Sequence, residues 1–136
     1  MFSIRGTVGD VEIVPKEIEG ANLTQDAARV APGINVENRW LCYAVKAEPV
    51  TGPLLALSLG AAVRGVNIRD LKRLVVPFPP DRREQVAIAD FLDLETTRIE
   101  ALLAATDLAI DRLQEYRTAL ITAAVTGKID VRKTIP

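Results

Sequence analysis

The pattern of hydrophobic and polar positions changes near residue 80. Before it, short segments with strand-like or helix-like spacing alternate with turn-forming residues. From residue 81 the apolar residues recur at helical spacing, and the next proline is Pro136. Strands show a period of two and helices one of about 3.6. The pattern therefore predicts an α+β protein, with a small mixed domain over residues 1–80 and a long C-terminal helix within residues 81–136.

Three short segments of the first 80 residues have the composition of strands. Apolar and polar residues alternate over residues 11–15. Residues 28–30 and 74–78 are further strand candidates, because they are apolar and bounded by turn formers.

The same region also contains predicted helices. Apolar residues recur at helical spacing over residues 35–48, and Asn35 is a suitable N-cap. A short helix is predicted over residues 52–60, with Gly60 closing it. One further helical turn is predicted to start at Asn67.

The C-terminal helix has start and stop signals. Asp81 and Glu84 fit a capping box at its beginning. A second capping signal at residues 97–100 indicates that the helix breaks or bends near residues 93–97. Gly127 stands where a C-terminal cap belongs.

Within this helix one apolar series alternates steps of four and three residues. The series is Ile99, Leu103, Thr106, Ile110, Leu113, Arg117, Leu120 and Ala124. This spacing is typical of the seam of a coiled coil. A helix over residues 95–126 is about 48 Å long, and a domain of this size cannot bury the whole seam. We therefore expect a partner helix; the alternative is two shorter helices that fold back on the N-terminal domain.

Arg117 is the charged position of this seam. Polar residues in coiled-coil seams set register or partner choice. The alternative is that the Arg117 side chain extends its charged end into solvent.

Composition excludes several classes of chemistry. The single cysteine, Cys42, and the absence of histidine exclude an internal disulfide, a Cys/His zinc site and a Ser-His or Cys-His nucleophile pair. No phosphate-binding glycine loop and no carboxylate cluster with metal-ligand spacing is present. We expect a non-enzyme without a metal or cofactor. No apolar run approaches the length of a membrane span and residues 1–10 do not resemble a signal peptide, so a soluble cytoplasmic protein is expected.

The net charge is −1, but the charge is unevenly distributed. Residues 60–83 carry six basic and two acidic side chains, whereas the segments before and after them are net acidic. Clustered Lys and Arg are the electrostatic signature of a nucleic-acid contact.

Three segments of the second half closely resemble the conserved helical region of the specificity (S) subunits of type I restriction-modification systems. They are residues 71–93, 98–103 and 113–132. The matching positions are Pro79 with Pro80, Glu84 with Gln85, Ile88 with Ala89, Leu92 with Asp93, Leu113 with Arg117 and Leu120, and Thr126 with Gly127. Residues 3–10, 38–48 and 60–74 also resemble the second half of a target-recognition domain of this family.

The resemblance implies a function. S subunits have no catalytic activity, and each of their target-recognition domains reads half of a split site in double-stranded DNA. Two long helices pack antiparallel and set the distance between the half-sites. Methyltransferase (M) subunits dock on them and supply S-adenosylmethionine and adenine methylation, and restriction (R) subunits join for cleavage.

The chain departs from that pattern, since it has one such helix and one recognition domain that lacks its beginning. It is therefore expected to be a C-terminal portion of a longer subunit or a truncated gene product. A half-length chain restores the symmetry if it forms a homodimer through its helix.

Two sets of residues are the candidates for binding. Those for DNA are Arg5, Gly6, Thr7, Gly9, Arg64, Asn67, Arg69, Lys72 and Arg73. Those for protein partners are Glu84, Gln85, Ile88, Phe91, Ile99, Leu103, Ile110, Leu113, Arg117 and Leu120. The alternatives are a solvated basic loop for the first set, and packing of the residues at 84–91 on their own domain for the second. Trp40, Cys42 and Tyr43 are expected in or near the core.

A second function remains open, namely a coiled-coil scaffold without DNA contact. The arrangement of the basic residues within 60–83, called the basic window below, distinguishes the two functions. An exposed basic face beside the turn at residues 6–9 favours DNA, whereas pairing with Asp70, Asp81 and Glu84 favours the scaffold.

Overall fold

The computed structural model describes residues 1–59 and 65–133. Its chain divides into two compact units, Met1–Leu92 and Asp93–Pro136. The recognition domain predicted over residues 1–80 lies in the first unit, together with the start of the long helix. The regular elements are β1 (Phe2–Ser3), β2 (Ala27–Ala28), α1 (Asn38–Lys46), α2 (Glu48–Leu59), α3 (Ile68–Leu71) and α4 (Arg82–Val125). Short 3₁₀ turns occur at Lys16–Ile18 and Val131–Lys133. The predicted α+β class is confirmed.

The buried cluster around β1 is small and mainly aliphatic, with Phe2 as its aromatic member. Strands β1 and β2 pair antiparallel, with Phe2 opposite Ala28. Phe2 and Ile4 are two residues apart, so they point to the same side, where Val45 of α1 and Leu54 of α2 pack against them.

Both longer helices of the first unit differ from their predicted bounds. Helix α1 is confirmed, but its N-cap position is Glu37 rather than Asn35. Helix α2 begins at Glu48, before the predicted start at residue 52. Pro49 is compatible with the first turn of a helix, whereas Gly52 and Pro53 are poor helix formers in isolation, so the pattern placed the start too late. The predicted end at Gly60 lies outside the described residues.

Two of the predicted strands are wrong. Of residues 11–15, only Val11 makes an isolated bridge, to Phe2. Residues 74–78 have no regular structure, because Pro77 lacks the N–H donor that a strand ladder needs. Their apolar side chains pack instead: Leu74 and Val76 lie against the core, and the Phe78 ring stands edge-on to Trp40 at 5.5 Å between centroids. Trp40 is buried, as expected.

Helix α4 is a single helix of 44 residues, about 66 Å long. The side chain of Asp81 accepts a hydrogen bond from the backbone N–H of Arg83 at 2.9 Å and so caps its first turn. The predicted break near residues 93–97 is wrong, and so is the alternative of two shorter helices. The hydroxyl of Thr97 donates to the carbonyl of Asp93 at 2.7 Å inside the helix, so it does not start a new one.

The end of α4 is as predicted. Gly127 has φ 73°, which favours glycine. The backbone N–H of Lys128 donates to the Ala123 carbonyl at 2.8 Å, and that of Gly127 donates to the Ala124 carbonyl at 3.2 Å. This pair of bonds is a Schellman motif, which satisfies carbonyls at the end of the helix.

Candidate functional site: a basic surface and an apolar helix face

The glycine-containing turn that follows β1 is held by backbone hydrogen bonds. Ser3 donates to the Asp10 carbonyl at 2.8 Å, Gly9 donates to Ser3 at 3.0 Å, and Asp10 donates to Thr7 at 3.2 Å. Gly6 and Thr7 are exposed at the end of this turn. The backbone at the tip is therefore accessible to a ligand.

The two glycines of this turn have different roles. Both have positive φ, 72° at Gly6 and 98° at Gly9. A Cβ on Gly9 would stand 3.0 Å from the Leu55 side chain, whereas one on Gly6 would meet no atom within 4 Å. Gly9 therefore serves close packing against α2, and Gly6 alone leaves open space beside the backbone.

Arg5 brings this turn next to the segment that leads into α3. It forms an isolated antiparallel bridge with Gly65, and the backbone N–H of Val66 donates to the Ile4 carbonyl at 2.8 Å. The Arg5 side chain is exposed and lies 3.8 Å from the Asp26 carboxylate. A solvent-exposed ion pair at this distance is weak.

Helix α3 presents the basic residues that follow. The helical turn predicted to start at Asn67 is confirmed, and the Asn67 side chain caps it by accepting a hydrogen bond from the backbone N–H of Arg69 at 2.9 Å. Arg69, Lys72 and Arg73 are exposed. Within residues 1–59 and 65–133, no acidic side chain forms an ion pair with any of these three. Arg64 lies outside the described residues.

The other part of the basic window has an internal role. Asp81 is occupied by the cap of α4, and Arg82 pairs with Glu37 at 2.8 Å. The pairing with Asp70, Asp81 and Glu84 that would favour a pure scaffold is therefore not found among the described side chains of the window.

Gln85 fastens the start of α4 to the segment before α1. Its side chain is fully buried. Its amide nitrogen donates to the Pro79 carbonyl at 2.8 Å and to the Asn35 carbonyl at 3.4 Å, and its oxygen accepts the backbone N–H of Glu37 at 2.8 Å. A buried amide with these partners stabilises its surroundings, because each backbone group would otherwise lack a partner. In this structure Gln85 thus contacts its own unit.

Charged residues surround this junction. The Glu37 carboxylate, only 14% exposed, accepts from Arg82 at 2.8 Å and from Arg39 at 3.4 Å. Arg39 in turn reaches Asp90 at 2.8 Å. Sequence reasoning did not single out Glu37 or Arg39. A signal existed for Gln85, because it shares an apolar helical stripe with Ala89 and Leu92, and a polar residue there indicates an internal hydrogen bond.

The remaining residues predicted to bind partners lie on α4. Ile88 is half-buried, Glu84 is exposed and Phe91 is 62% exposed. In the second unit the large apolar seam residues are 45–66% exposed; they are Ile99, Leu103, Ile110, Leu113 and Leu120. Arg117 is also exposed. The second unit therefore carries an uncovered apolar face.

The first unit also contains a cavity of about 700 Å³ with an apolar lining that includes Ile18, Leu23 and Val30. Cys42 borders it, and burial raises the pKa of its thiol. Over the described ranges, no group of three His, Cys, Asp or Glu side chains is placed to hold a metal ion. None of the described helices combines the length and apolarity needed to cross a membrane.

Comparison with known proteins identifies the family. The family model of the type I restriction modification DNA specificity domain matches residues 1–104. The chain belongs to this family. A protein of Mycoplasma genitalium named as a type I specificity subunit is 28% identical over 89 residues, which make up 65% of this chain and 23% of the relative. The chain thus spans less than a quarter of that relative's length, and no solved structure matches it.

Proposed function

We propose that this specificity-domain chain is a non-catalytic DNA-recognition and scaffold subunit of a type I restriction-modification complex. It binds one half-site of double-stranded DNA and docks methyltransferase subunits, with restriction subunits joining the complex. The observation that carries the DNA part is the exposure of three basic side chains, Arg69, Lys72 and Arg73, which follow shortly after the segment that bridges to Arg5.

The chemistry of this surface suits a nucleic acid. Exposed Lys and Arg side chains without an acidic partner neutralise phosphates and release counterions. The open space beside Gly6 allows close approach to the DNA backbone, and Arg5 and Asn67 stand where the turn meets α3. Guanidinium and amide groups are the side chains that read base edges in the major groove.

The scaffold part of the proposal uses α4. Its apolar face is covered by the helix of a second copy, which makes the functional unit a homodimer with two recognition surfaces. Phe91 and Glu84, exposed near the start of the helix, contribute to the surface for the methyltransferase subunit. The methyltransferase subunit supplies S-adenosylmethionine, so this chain needs no cofactor, and the complex acts in the cytoplasm where the DNA is.

The test is binding to double-stranded DNA, measured by fluorescence anisotropy between about 50 and 200 mM salt. Replacing Arg69, Lys72 and Arg73 together by Ala is expected to reduce the slope of log affinity against log salt by about 2 to 3, close to 0.9 per lost phosphate contact. Arg112→Ala, an exposed arginine of the second unit, is the matched control and should leave affinity and slope unchanged. Equal DNA binding by the triple variant and the wild type would contradict the DNA part.

A coiled-coil scaffold without DNA contact is the second candidate, and the exposed face of the second unit favours it. Capture of the methyltransferase subunit separates the two. A chain that captures this subunit, yet binds DNA no better than its triple variant, is such a scaffold.

A further inference from the structure

We infer that α4 pairs with the α4 of a second copy in an antiparallel arrangement of one defined register, in which Arg117 faces Thr106 and pairs with Asp107 of the other copy. This inference rests on the self-pairing in the proposed function and on the antiparallel packing that the family resemblance implies; it adds the register and the residues that fix it. All residues of this pairing lie in the second unit, Asp93–Pro136.

A helix that covers the seam of α4 must be apolar along most of its contact and must also accommodate Arg117, the charged residue of the seam. Arg117 takes a seam position, where the large apolar residues are about half exposed in the single chain. Its neighbours three and four residues away are Leu113, Gln114, Leu120 and Ile121, so no acidic side chain is within reach along the helix. Asp107 likewise has no basic residue three or four positions away. No described residue forms an ion pair with either of them.

A parallel pair of copies is unfavourable. In a parallel, in-register coiled coil each seam residue meets its own counterpart, so two Arg117 side chains would face each other in one layer. The flanking positions would also bring Glu95 of one helix next to Glu100 of the other. Both contacts place like charges together, which destabilises the parallel arrangement.

An antiparallel pair centred between Asp111 and Arg112 removes both conflicts. The layers then pair Leu103 with Leu120, Ile110 with Leu113, Ile99 with Ala124, and Arg117 with Thr106, each residue facing one of the second copy. In this register every seam residue except Arg117 and Thr106 meets an apolar one. A shift by one heptad in either direction would instead place Arg117 against Leu113 or Ile99 and leave the charge in an apolar layer.

Thr106 is suited to receive the arginine. Its side chain is short, and its hydroxyl already donates to the Leu102 carbonyl at 2.8 Å, so covering it leaves no unsatisfied donor. Asp107 follows directly, so along the helix it lies only one residue, about 1.5 Å, from the level of Arg117 of the second copy. The two-fold symmetry produces this ion pair twice. Charge complementarity therefore points to a second copy as the occupant.

Disulfide trapping tests direction and register together. Two proteins are made in a Cys42→Ser background, one with Leu103→Cys and one with Leu120→Cys, so that each has a single cysteine. In the proposed register residue 103 faces residue 120 of the other copy, whereas two residues at 103 are about 25 Å apart. A disulfide needs Cα atoms within about 7 Å, so a cross-link is expected only in the mixture of the two proteins.

Each other outcome overturns the inference in its own way. Cross-linking of either protein with itself indicates a parallel pair. A dimer in light scattering with no cross-link in the mixture indicates another register. A strict monomer that retains its helical circular dichroism shows that the self-pairing itself is absent, a result that leaves the DNA part of the proposed function to its own test.

Charge exchange tests the ion pair. Arg117→Glu and Asp107→Arg are each expected to raise the dimer dissociation constant about tenfold or more, because each brings like charges together twice. The protein with both substitutions should recover most of the wild-type affinity. Arg112→Glu, outside the seam, is the control and should change it less than about threefold. Lack of recovery in the double variant would contradict the pairing of Arg117 with Asp107.

Discussion

The two units of this chain differ in how far they bury their large apolar side chains. The first unit buries some of its large side chains, with Phe2 fully buried and Leu54 nearly so, although Ile34 and Val75 stay exposed. In the second unit the described large apolar side chains are all at least 40% exposed, and Val125 is 82% exposed. Helical stability in proteins comes mainly from packing an apolar face, which the second unit cannot do alone. The first unit thus has a buried core of its own, whereas the described large apolar side chains of the second unit form none.

The largest expected effect is on self-association through the second unit, and the fold of the first unit should stay unchanged. Leu113→Asp places a charge in the seam twice per dimer and is expected to weaken self-association by about a thousandfold, roughly 4 kcal/mol. Leu108→Asp is the matched control, because Leu108 is equally helical and exposed but lies outside the seam. Sedimentation velocity over a concentration series measures both variants. An equal loss of association in both would show that the seam is not the contact.

The second-largest expected effect is on the stability of the first unit. Gln85→Ala removes three hydrogen bonds from a buried site and leaves the Glu37 N–H and the Pro79 carbonyl without their partner. We expect it to lower the free energy of unfolding by about 2 to 3 kcal/mol. Gln114→Ala, the same change at an exposed position of α4, should stay within about 0.5 kcal/mol.

For both glutamine variants, urea unfolding followed by the fluorescence of Trp40 measures the stability of the first unit, since the single tryptophan lies there. If Gln85→Ala proved as mild as Gln114→Ala, the junction at the start of α4 would have no energetic importance.

The smallest expected effect is the dependence of the first unit's stability on pH. Burial raises the pKa of Cys42, and the hydrogen bond with Glu12 raises the pKa of Lys46. A raised pKa contributes stability that is present below the unfolded-state pKa and is lost as the pH rises. The first unit should therefore lose stability above about pH 8.5 through the thiol and again above about pH 10.4 through the lysine.

Lys46 and Glu12 are well exposed, so their part of the alkaline loss should stay below about 1 kcal/mol. The measurement is urea unfolding at neutral and alkaline pH, compared with Cys42→Ser, which should reduce the first step of the loss. A stability that is constant or rises over this range would contradict the assignment.

Local signals in the sequence predicted much of the fold. Four predictions are confirmed, because each depends on residues within a few positions: the helical spacing from residue 81, the cap at Asp81, the helical turn starting at Asn67 and the Gly127 end. The break near residues 93–97 was wrong because the hydroxyl of Thr97 has two uses, capping a helix or bonding back to Asp93.

Contacts between distant segments were not predictable. Gln85 bonds to Glu37, 48 residues earlier, and Val66 to Ile4, so no local pattern identifies the partner in either contact. The N-cap of α1 was misplaced for this reason, since the backbone of Glu37 is held by Gln85. Of the predicted DNA-binding residues, the structure separates Gly9, which packs on Leu55, from the exposed Arg69, Lys72 and Arg73.

Self-pairing through the second unit is tested most directly by the molar mass of the unmodified chain in solution, measured by light scattering alone and with the cognate methyltransferase subunit. We expect a dimer with twice the chain mass of 14.8 kDa that also captures the methyltransferase subunit. A chain that remains a monomer at its highest soluble concentration would contradict the claim that the apolar face of the second unit is covered by a second copy.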